Sequence, residues 1–236
     1  RYFKTFYRLK RFFLILVVLF SYRMYAVVPV SLRTYAEYSY DNTYAHQASL
    51  GVLIDADLAN AFALCGGVNL QSANIYAATL AGKIRFGLPV GYLFINNDYL
   101  YKAFVRNHTQ QIAVSLSLGY EMDYVSVRVG AFSKFFSALP QKKTTKWMIE
   151  PFDLLYDVQA FVFRPSHTWN LGVKISNIDY FLWEHFTNPR FSLLGRAELT
   201  ERLNFDAELG CMPVGMFNAA ASFYSVCFRV GICYKW

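Results

Sequence analysis

The sequence predicts an all-β protein, a transmembrane up-and-down antiparallel β-barrel of about twelve strands, with a range of roughly 8 to 14. Three observations predict this fold. Segments of about ten residues alternate between apolar and polar side chains along the chain after residue 26. In eleven of the twelve segments, leaving aside Gly91–Tyr101, the charged side chains fall on one face only. A basic stretch and an apolar run precede the first segment, as in an export signal.

The first 26 residues have the layout of a secretory signal peptide. Arg1–Arg11 is basic, Phe12–Phe20 is an uninterrupted apolar run, and Ser21–Ala26 is more polar. A transmembrane helix is the alternative, but it needs about 20 apolar residues. The apolar run here has only nine. We therefore expect residues 1–26 to direct export and residues 27–236 to form the barrel domain.

The basicity of the chain comes from the same N-terminal segment. Lys and Arg number 23 against 16 Asp and Glu, which gives a net charge of +7, and six of the basic residues lie in residues 1–26. The remaining domain is almost neutral and has no basic stripe for phosphate groups. This excludes a nucleic-acid-binding protein. A composition that is 55% hydrophobic and 17% charged also excludes a disordered chain.

Alternation identifies the predicted strands one by one. It is clearest in Gln111–Glu121, Trp169–Ser176, Leu203–Cys211 and Tyr224–Trp236. Weaker copies cover Ser31–Tyr40, Gln47–Ala56, Phe62–Leu70, Ile75–Phe86, Tyr124–Ser133, Phe152–Val162 and Phe191–Leu199. The poorest is Gly91–Tyr101, where the alternation breaks at Asn96 and Asn97. A barrel of ten strands would also fit the sequence, if Gly91–Tyr101 and one neighbouring segment are not strands. Twelve strands leave roughly seventeen residues for each strand with its connection, and a spanning strand needs about 9–11.

The charged face of these strands is expected to line the lumen of the barrel. It carries Arg33, Glu37, Lys83, Arg85, Arg128, Lys174, Arg196, Glu198, Asp206, Glu208 and Arg229. A soluble β-sandwich predicts the same alternation, with the apolar face inside. The export segment favours the membrane barrel, and so do aromatic residues near strand ends, such as Tyr38 and Trp169.

The last strand ends in a pattern that carries a family resemblance. Arg229, Gly231, Tyr234 and Trp236 read polar-x-Gly-x-x-aromatic-x-aromatic. This resembles the C-terminal signal by which the barrel assembly machinery recognises outer-membrane barrel proteins of diderm bacteria, with Trp in place of the more usual Phe. The resemblance implies a bacterial outer-membrane location, with outer-membrane lipid and the assembly machinery as partners. With an even number of strands and the C-terminus on the assembly side, the first strand should begin and the last strand should end in the periplasm.

A finer resemblance concerns the second half of the chain. Trp169–Asn177 followed by Asn188–Gly195 is similar to the barrel repeat of FadL-like and PorV-like proteins. Many Tyr and Phe with scattered Cys are similar to spirochaete outer-membrane proteins. FadL-like barrels normally have fourteen strands and an N-terminal plug. Here the first predicted strand begins almost at the predicted cleavage site, which leaves no room for a plug. Transport of a hydrophobic substrate is therefore only the third function considered.

Little in the sequence points to catalysis or to a metal. A rim hydrolase needs a His beside a Ser, and the one local pair, His46 and Ser49, points to opposite faces of its strand. The four cysteines lack the Cys-x2-Cys spacing of a zinc site. We therefore expect no enzymatic activity, no cofactor and no metal.

Two long connections, Ser137–Glu150 and Asn177–Arg190, are expected to lie outside the cell. The first contains a small basic cluster, Lys142, Lys143 and Lys146. This cluster is either a solvated loop or a contact for anionic lipopolysaccharide or a ligand.

Strand order predicts how the lumen charges are arranged. The first strand should close against the last, so Arg33, Glu37, Arg196, Glu198, Asp206, Glu208 and Arg229 should share one wall. Lys83, Arg85, Arg128 and Lys174 should face the acidic members of that wall across the lumen, which would give a transverse field. Two interpretations stay open. The one we favour is a narrow channel for passive passage of small polar solutes. The other is an interior sealed by ion pairs, in a structural or adhesin-like barrel that acts through its outer loops.

Overall fold

The computed structural model describes residues 28–42, 45–59, 61–139, 147–166, 168–214 and 222–236. The predicted signal peptide and the basic cluster Lys142, Lys143 and Lys146 lie outside these residues. The strands are β1 (Val30–Asp41), β2 (Ala45–Ala59), β3 (Phe62–Gln71), β4 (Ile75–Gly87), β5 (Tyr92–Phe104), β6 (Thr109–Glu121), β7 (Val125–Ala138), β8 (Met148–Ser166), β9 (Trp169–Ser176), β10 (Arg190–Glu198), β11 (Leu203–Val214) and β12 (Ser222–Lys235). Among the described residues, no helix is long and apolar enough to cross a membrane.

The strands form one closed antiparallel barrel. Each strand pairs with its neighbours in sequence, and β1 pairs with β12 along eleven residue pairs. This confirms the predicted fold class and strand count, including β5. Closure matters because a sheet in hydrocarbon has no water to pair with an open edge. The backbone N–H of Trp236 donates to the carbonyl oxygen of Val30 at 2.9 Å, so β1 begins and β12 ends at the same rim of the barrel. We call this the terminal rim and the opposite one the loop rim.

The outside of the barrel is apolar. Large aliphatic side chains project from it, and Leu50, Leu116 and Leu193 are each at least 60% exposed. Aromatic side chains are exposed near the rims, among them Tyr38, Trp169 and Trp236. So much contiguous exposed apolar surface is unfavourable in water and suits a lipid bilayer, with the aromatic rings at its interfaces.

Two inward-facing glycines make room for aromatic rings inside the barrel. A Cβ atom at Gly51 would overlap the ring of Tyr35, and one at Gly119 would overlap the ring of Phe94. Tyr35 is only 6% exposed and belongs to the apolar cluster at mid-barrel. The absence of a side chain at Gly51 on β2 therefore allows the ring of Tyr35 to pack directly against the barrel wall.

Replacing Gly51 with Ala is expected to destabilise the barrel by about 1–3 kcal/mol, because the ring of Tyr35 must move into a packed interior. The measurement is the temperature at which the refolded protein loses its folded mobility on gels. Gly82→Ala is the control, since the nearest atom to a Cβ there is 3.8 Å away. Equal effects of the two substitutions would contradict the packing argument.

Candidate functional site in the barrel lumen

The connection between β9 and β10 folds into the barrel. Ile178, Phe181 and Trp183 are 4–7% exposed and pack in the same cluster as inward-facing strand residues. The prediction that Asn177–Arg190 lies outside is therefore wrong, at least for residues 177–184, which we call the lumen segment. The physical reason is that these large apolar side chains would otherwise face water. Such side chains in a connection were the signal that sequence analysis missed.

Hydrogen bonds from Asn177 fix both ends of the lumen segment. Its Nδ2 donates to the carbonyl oxygen of Leu154 at 2.7 Å, and its Oδ1 accepts from the backbone N–H of Tyr156 at 2.9 Å. The backbone N–H of Glu184 donates to the Asn177 carbonyl oxygen at 2.8 Å. These bonds close the segment into a loop tied to β8.

An apolar septum crosses the barrel at the level of the lumen segment. Ile178, Phe181 and Trp183 meet inward-facing side chains from seven strands: Tyr35, Leu53, Ala77, Leu100, Ala113, Phe132 and Leu155. The rings of Phe132 and Trp183 pack edge to face with centroids 5.7 Å apart. Sequence analysis predicted a polar lumen and missed this layer, although the side-chain parity places its strand residues on the inner face.

The septum separates two polar cavities. The loop-side cavity, of about 280 Å³, lies between the septum and the loop rim. The terminus-side cavity, of about 660 Å³, lies between the septum and the terminal rim. Both are lined by Tyr35, Asp179, Trp183 and Arg229, so these side chains stand at the boundary between them.

Two arginines and three carboxylates form a charge cluster at this boundary. Its members are Glu37, Asp179, Arg190, Glu208 and Arg229. Arg229 lies 2.5 Å from Glu37, 2.5 Å from Asp179 and 3.3 Å from Glu208, and Arg190 lies 3.3–3.6 Å from the same three carboxylates. The structure thus brings together three predicted lumen residues, Glu37, Glu208 and Arg229. Sequence analysis missed Asp179 and Arg190 because it placed their connection outside the barrel.

The lumen segment contributes its own carboxylate to the cluster. Burial alone would raise the pKa of Asp179, but the positive charges of Arg229, Lys174 and Arg190 hold that pKa well below its usual range. Asp179 is therefore ionised, and its ion pairs tie the segment electrostatically to β10 and β12.

The rest of the predicted first wall lies nearer the terminal rim. Asp206 is 2.8 Å from Arg196 and 4.0 Å from Arg33, and Arg33 donates to the Tyr180 hydroxyl at 3.1 Å. Glu198 is exposed at the rim. The expected cluster is therefore split into a boundary group and a rim group, because its members lie at different heights along their strands.

The predicted transverse field is wrong, because each basic residue of the opposite wall has a carboxylate partner of its own. Lys83 lies 2.6 Å from Glu121, Arg85 lies 2.7 Å from Asp57, Lys174 lies 4.0 Å from Asp157, and Arg128 pairs directly with Asp98. Asp57, Asp98 and Glu121 were not assigned to the lumen from the sequence. Pairing between strands one or two positions apart neutralises this wall locally.

The two cavities differ in the balance of charged residues that line them. Four cations and four carboxylates line the loop-side cavity: Lys102, Lys134, Arg190, Arg229, Glu37, Asp41, Asp179 and Glu184. Seven cations and nine carboxylates line the terminus-side cavity: Arg33, Lys83, Arg85, Arg128, Lys174, Arg196, Arg229, Asp55, Asp57, Asp98, Glu121, Asp123, Asp157, Asp179, Asp206 and Glu208. The lining of the loop-side cavity is therefore neutral, and the lining of the terminus-side cavity has two more carboxylates than cations.

The groups considered for catalysis or metal binding are not brought together. Within the described part of the chain, no three His, Cys, Asp or Glu residues could hold a metal ion between them. His46 lies on the exposed outer surface with its Nδ1 2.5 Å from the Tyr38 hydroxyl. Cys65, Cys211, Cys227 and Cys233 are free thiols.

Comparison with known proteins finds solved structures of similar fold. No family model and no curated protein matches the sequence. Among solved structures, the KdgM porin in complex with disordered oligogalacturonate matches with a TM-score of 0.55 and 12% identity over 87% of this chain and 99% of its own. The NanC porin matches with a TM-score of 0.55 and 9% identity, over 87% and 100%. The outer membrane protein Omp33 of Acinetobacter baumannii matches with a TM-score of 0.53 and 10% identity, over 89% and 98%.

The chain shares their fold. This fold likeness agrees with the resemblance to outer-membrane barrels found in the last strand, while identities this low carry no information about the solute of this chain.

Proposed function

We propose that this protein is a bacterial outer-membrane channel for small polar solutes, narrowed at the septum. The observation that carries the proposal is the pair of charged cavities inside a barrel whose outer surface is apolar. A barrel of about eight strands is filled by its own side chains, and a twelve-stranded one has room for a lumen. The fold shared with the KdgM and NanC porins supports the same function and location. We propose no catalytic activity and no cofactor.

The ends of the chain fit this proposal. Residues 1–26 would direct export, and Arg229, Gly231, Tyr234 and Trp236 would form the signal for the barrel assembly machinery. The rings of Tyr234 and Trp236 pack edge to face with centroids 5.2 Å apart at the terminal rim, where Trp236 is exposed to a partner. The terminal rim would then face the periplasm, and the basic cluster Lys142, Lys143 and Lys146 would lie at the cell surface.

The second candidate function is a non-conducting structural or adhesin-like barrel. The septum is the observation that favours it, since a layer of packed apolar side chains lies across the lumen at mid-height. Transport of a hydrophobic substrate has no comparable support, because charged side chains line both cavities.

The deciding experiment is single-channel recording in a planar bilayer, with refolded protein whose folded state is checked by gel mobility. Discrete current steps are expected. A KCl gradient should show a modest cation preference, because the wall of the terminus-side cavity has two more carboxylates than cations. Folded protein without steps would overturn the channel in favour of the structural barrel.

Replacing Asp55, which lines the terminus-side cavity, with Asn is expected to reduce the cation preference. The reason is that the acidic excess of that wall falls by one charge. The measurement is the reversal potential under the same KCl gradient. Glu201→Gln, in an exposed turn outside the lumen, is the control with the same change of charge. A reversal potential that shifts equally in both variants would mean that surface charge sets the selectivity.

A further inference from the structure

We propose that the loop-side cavity is a binding site for a small zwitterion, a solute with one carboxylate and one ammonium group, as in amino acids and dipeptides. This inference rests on the proposed channel function and names the solute class of its loop-side cavity. It stands on two opposite charges that face the cavity and have no ion-pair partner in the part of the chain that the structure describes.

The first is the ammonium group of Lys102 on β5. Lys102 is buried, with only 7% of the residue exposed, and it lines the loop-side cavity. Among the described residues no carboxylate oxygen lies within 4.0 Å of its Nζ. All 16 Asp and Glu residues of the chain are among the described ones, so the remaining residues supply no carboxylate either. Burying an unpaired ammonium is costly, and an anionic group in the cavity would remove that cost.

The second is the carboxylate of Glu184, at the end of the lumen segment. It lines the same cavity, and no cation of the described residues lies within 4.0 Å of it. Burial raises the pKa of Glu184, and the positive charges of Lys102 and Lys134 oppose that rise. The two unpaired charges are therefore within electrostatic reach of each other but are not joined in an ion pair.

The other charged residues of the cavity wall each have a polar partner, and Asp41 accepts a hydrogen bond from Gln47 Nε2 at 2.5 Å. Arg190 and Arg229 contact Glu37 and Asp179, and Lys134 lies 3.8 Å from Glu150. A simple anion bound at Lys102 would be repelled by the nearby carboxylates. A simple cation bound at Glu184 would be repelled by the nearby ammonium groups. A solute with both charges satisfies both sites and adds no net charge to a neutral wall.

The rest of the cavity suits a small amphipathic solute. Its volume of about 280 Å³ is close to the lower end of the range for small-molecule sites, roughly 300–1,000 Å³. Phe104, Phe181 and Trp183 provide apolar wall beside the charged groups. A solute held here would lie directly on the septum, at the entrance from the loop rim.

The test compares three probes by titration calorimetry on the refolded full chain in detergent. Leucine carries both charges, leucinamide lacks the carboxylate, and N-acetylleucine lacks the ammonium. Leucine should bind at least about tenfold more tightly than either of the other two, a difference of about 1.4 kcal/mol. Equal affinities, or no binding of leucine at millimolar concentration, would overturn the inference without the need for any variant.

Two variants assign the charges. Lys102→Gln should remove the preference for leucine over leucinamide, because the carboxylate has lost its partner. Glu184→Gln should remove the preference for leucine over N-acetylleucine. A merely structural effect would weaken all three probes together, and that result would overturn the assignment. Arg106→Gln is the control: it removes one exposed positive charge in the β5–β6 turn, four residues after Lys102, and should change nothing.

Binding and conduction are measured separately, so the two proposals can fail independently. Current steps together with equal probe affinities would overturn the zwitterion site and leave the channel. Selective leucine binding by folded protein that shows no current steps would overturn the channel and leave the binding site.

Discussion

Deleting residues 178–184 and joining Asn177 to His185 through a short Gly-Ser linker is expected to raise single-channel conductance by about two- to fivefold, because the narrowest part of a pore dominates its resistance. The lumen segment supplies Ile178, Phe181 and Trp183 to the septum. Without them the two cavities join into one passage. The measurement is the step size in a planar bilayer at fixed KCl concentration.

The deletion is designed so that the barrel can still fold. It removes Asp179 from the boundary cluster and leaves two arginines with two carboxylates, Glu37 and Glu208, so no charge excess is created. His185→Gln is the control, since it changes an exposed side chain of the same connection. An unchanged step size from a folded deletion variant would show that the lumen segment does not set the resistance of the pore.

The sequence was sufficient to predict the strands because a membrane barrel imposes one simple rule on each of them. A side chain faces either lipid or lumen, and in hydrocarbon the rule has few exceptions. The structure of β5 explains why the apolar–polar alternation is weaker in that strand. Asn96 faces inward and donates to Asp98 at 2.7 Å, while Asn97 faces outward and donates to the Ser115 carbonyl oxygen at 3.0 Å. Both polar groups are satisfied locally, so β5 is a strand despite its broken alternation.

The arrangement inside the lumen could not be predicted in the same way. Alternation gives the face of each side chain but not its height in the barrel or its partner on the next strand. Lys83 and Glu121 are 38 residues apart, on β4 and β6, and only the registers of these two strands with β5 between them bring their charges to 2.6 Å. The transverse field was wrong for this reason.

The location of the lumen segment was predicted wrongly for a different reason. A long polar connection normally stays in solvent, and the length of this one was taken as a sign of an outer loop. The composition of the connection is the better indicator, because the large apolar side chains of Ile178, Phe181 and Trp183 favour burial. Arg190 and Asp179 were missed with it, and these two residues complete the charge cluster that Arg229 and Glu37 begin.

Replacing Arg229 with Met is expected to destabilise the barrel by about 3–5 kcal/mol, the cost of breaking a buried ion pair from one side. Arg229 contacts Glu37, Asp179 and Glu208, and after the substitution Arg190 is the one cation of the described residues within 4.0 Å of these three carboxylates. The measurement is urea-induced unfolding of the protein in lipid vesicles. Arg196→Met is the control, because Arg196 pairs with a single carboxylate and its side chain is 38% exposed, so its loss should cost much less.

A second substitution separates charge imbalance from lost packing. Arg229→Met combined with Asp179→Asn leaves Arg190 with two carboxylates, which restores the net charge of the original cluster. If the imbalance causes the loss, the double variant is more stable than Arg229→Met alone. A double variant that is less stable than the single one would mean that Asp179 acts mainly by holding the lumen segment in place. In that case, the remaining ion pair between Asp179 and Arg190 would be the contact that holds the lumen segment in the septum.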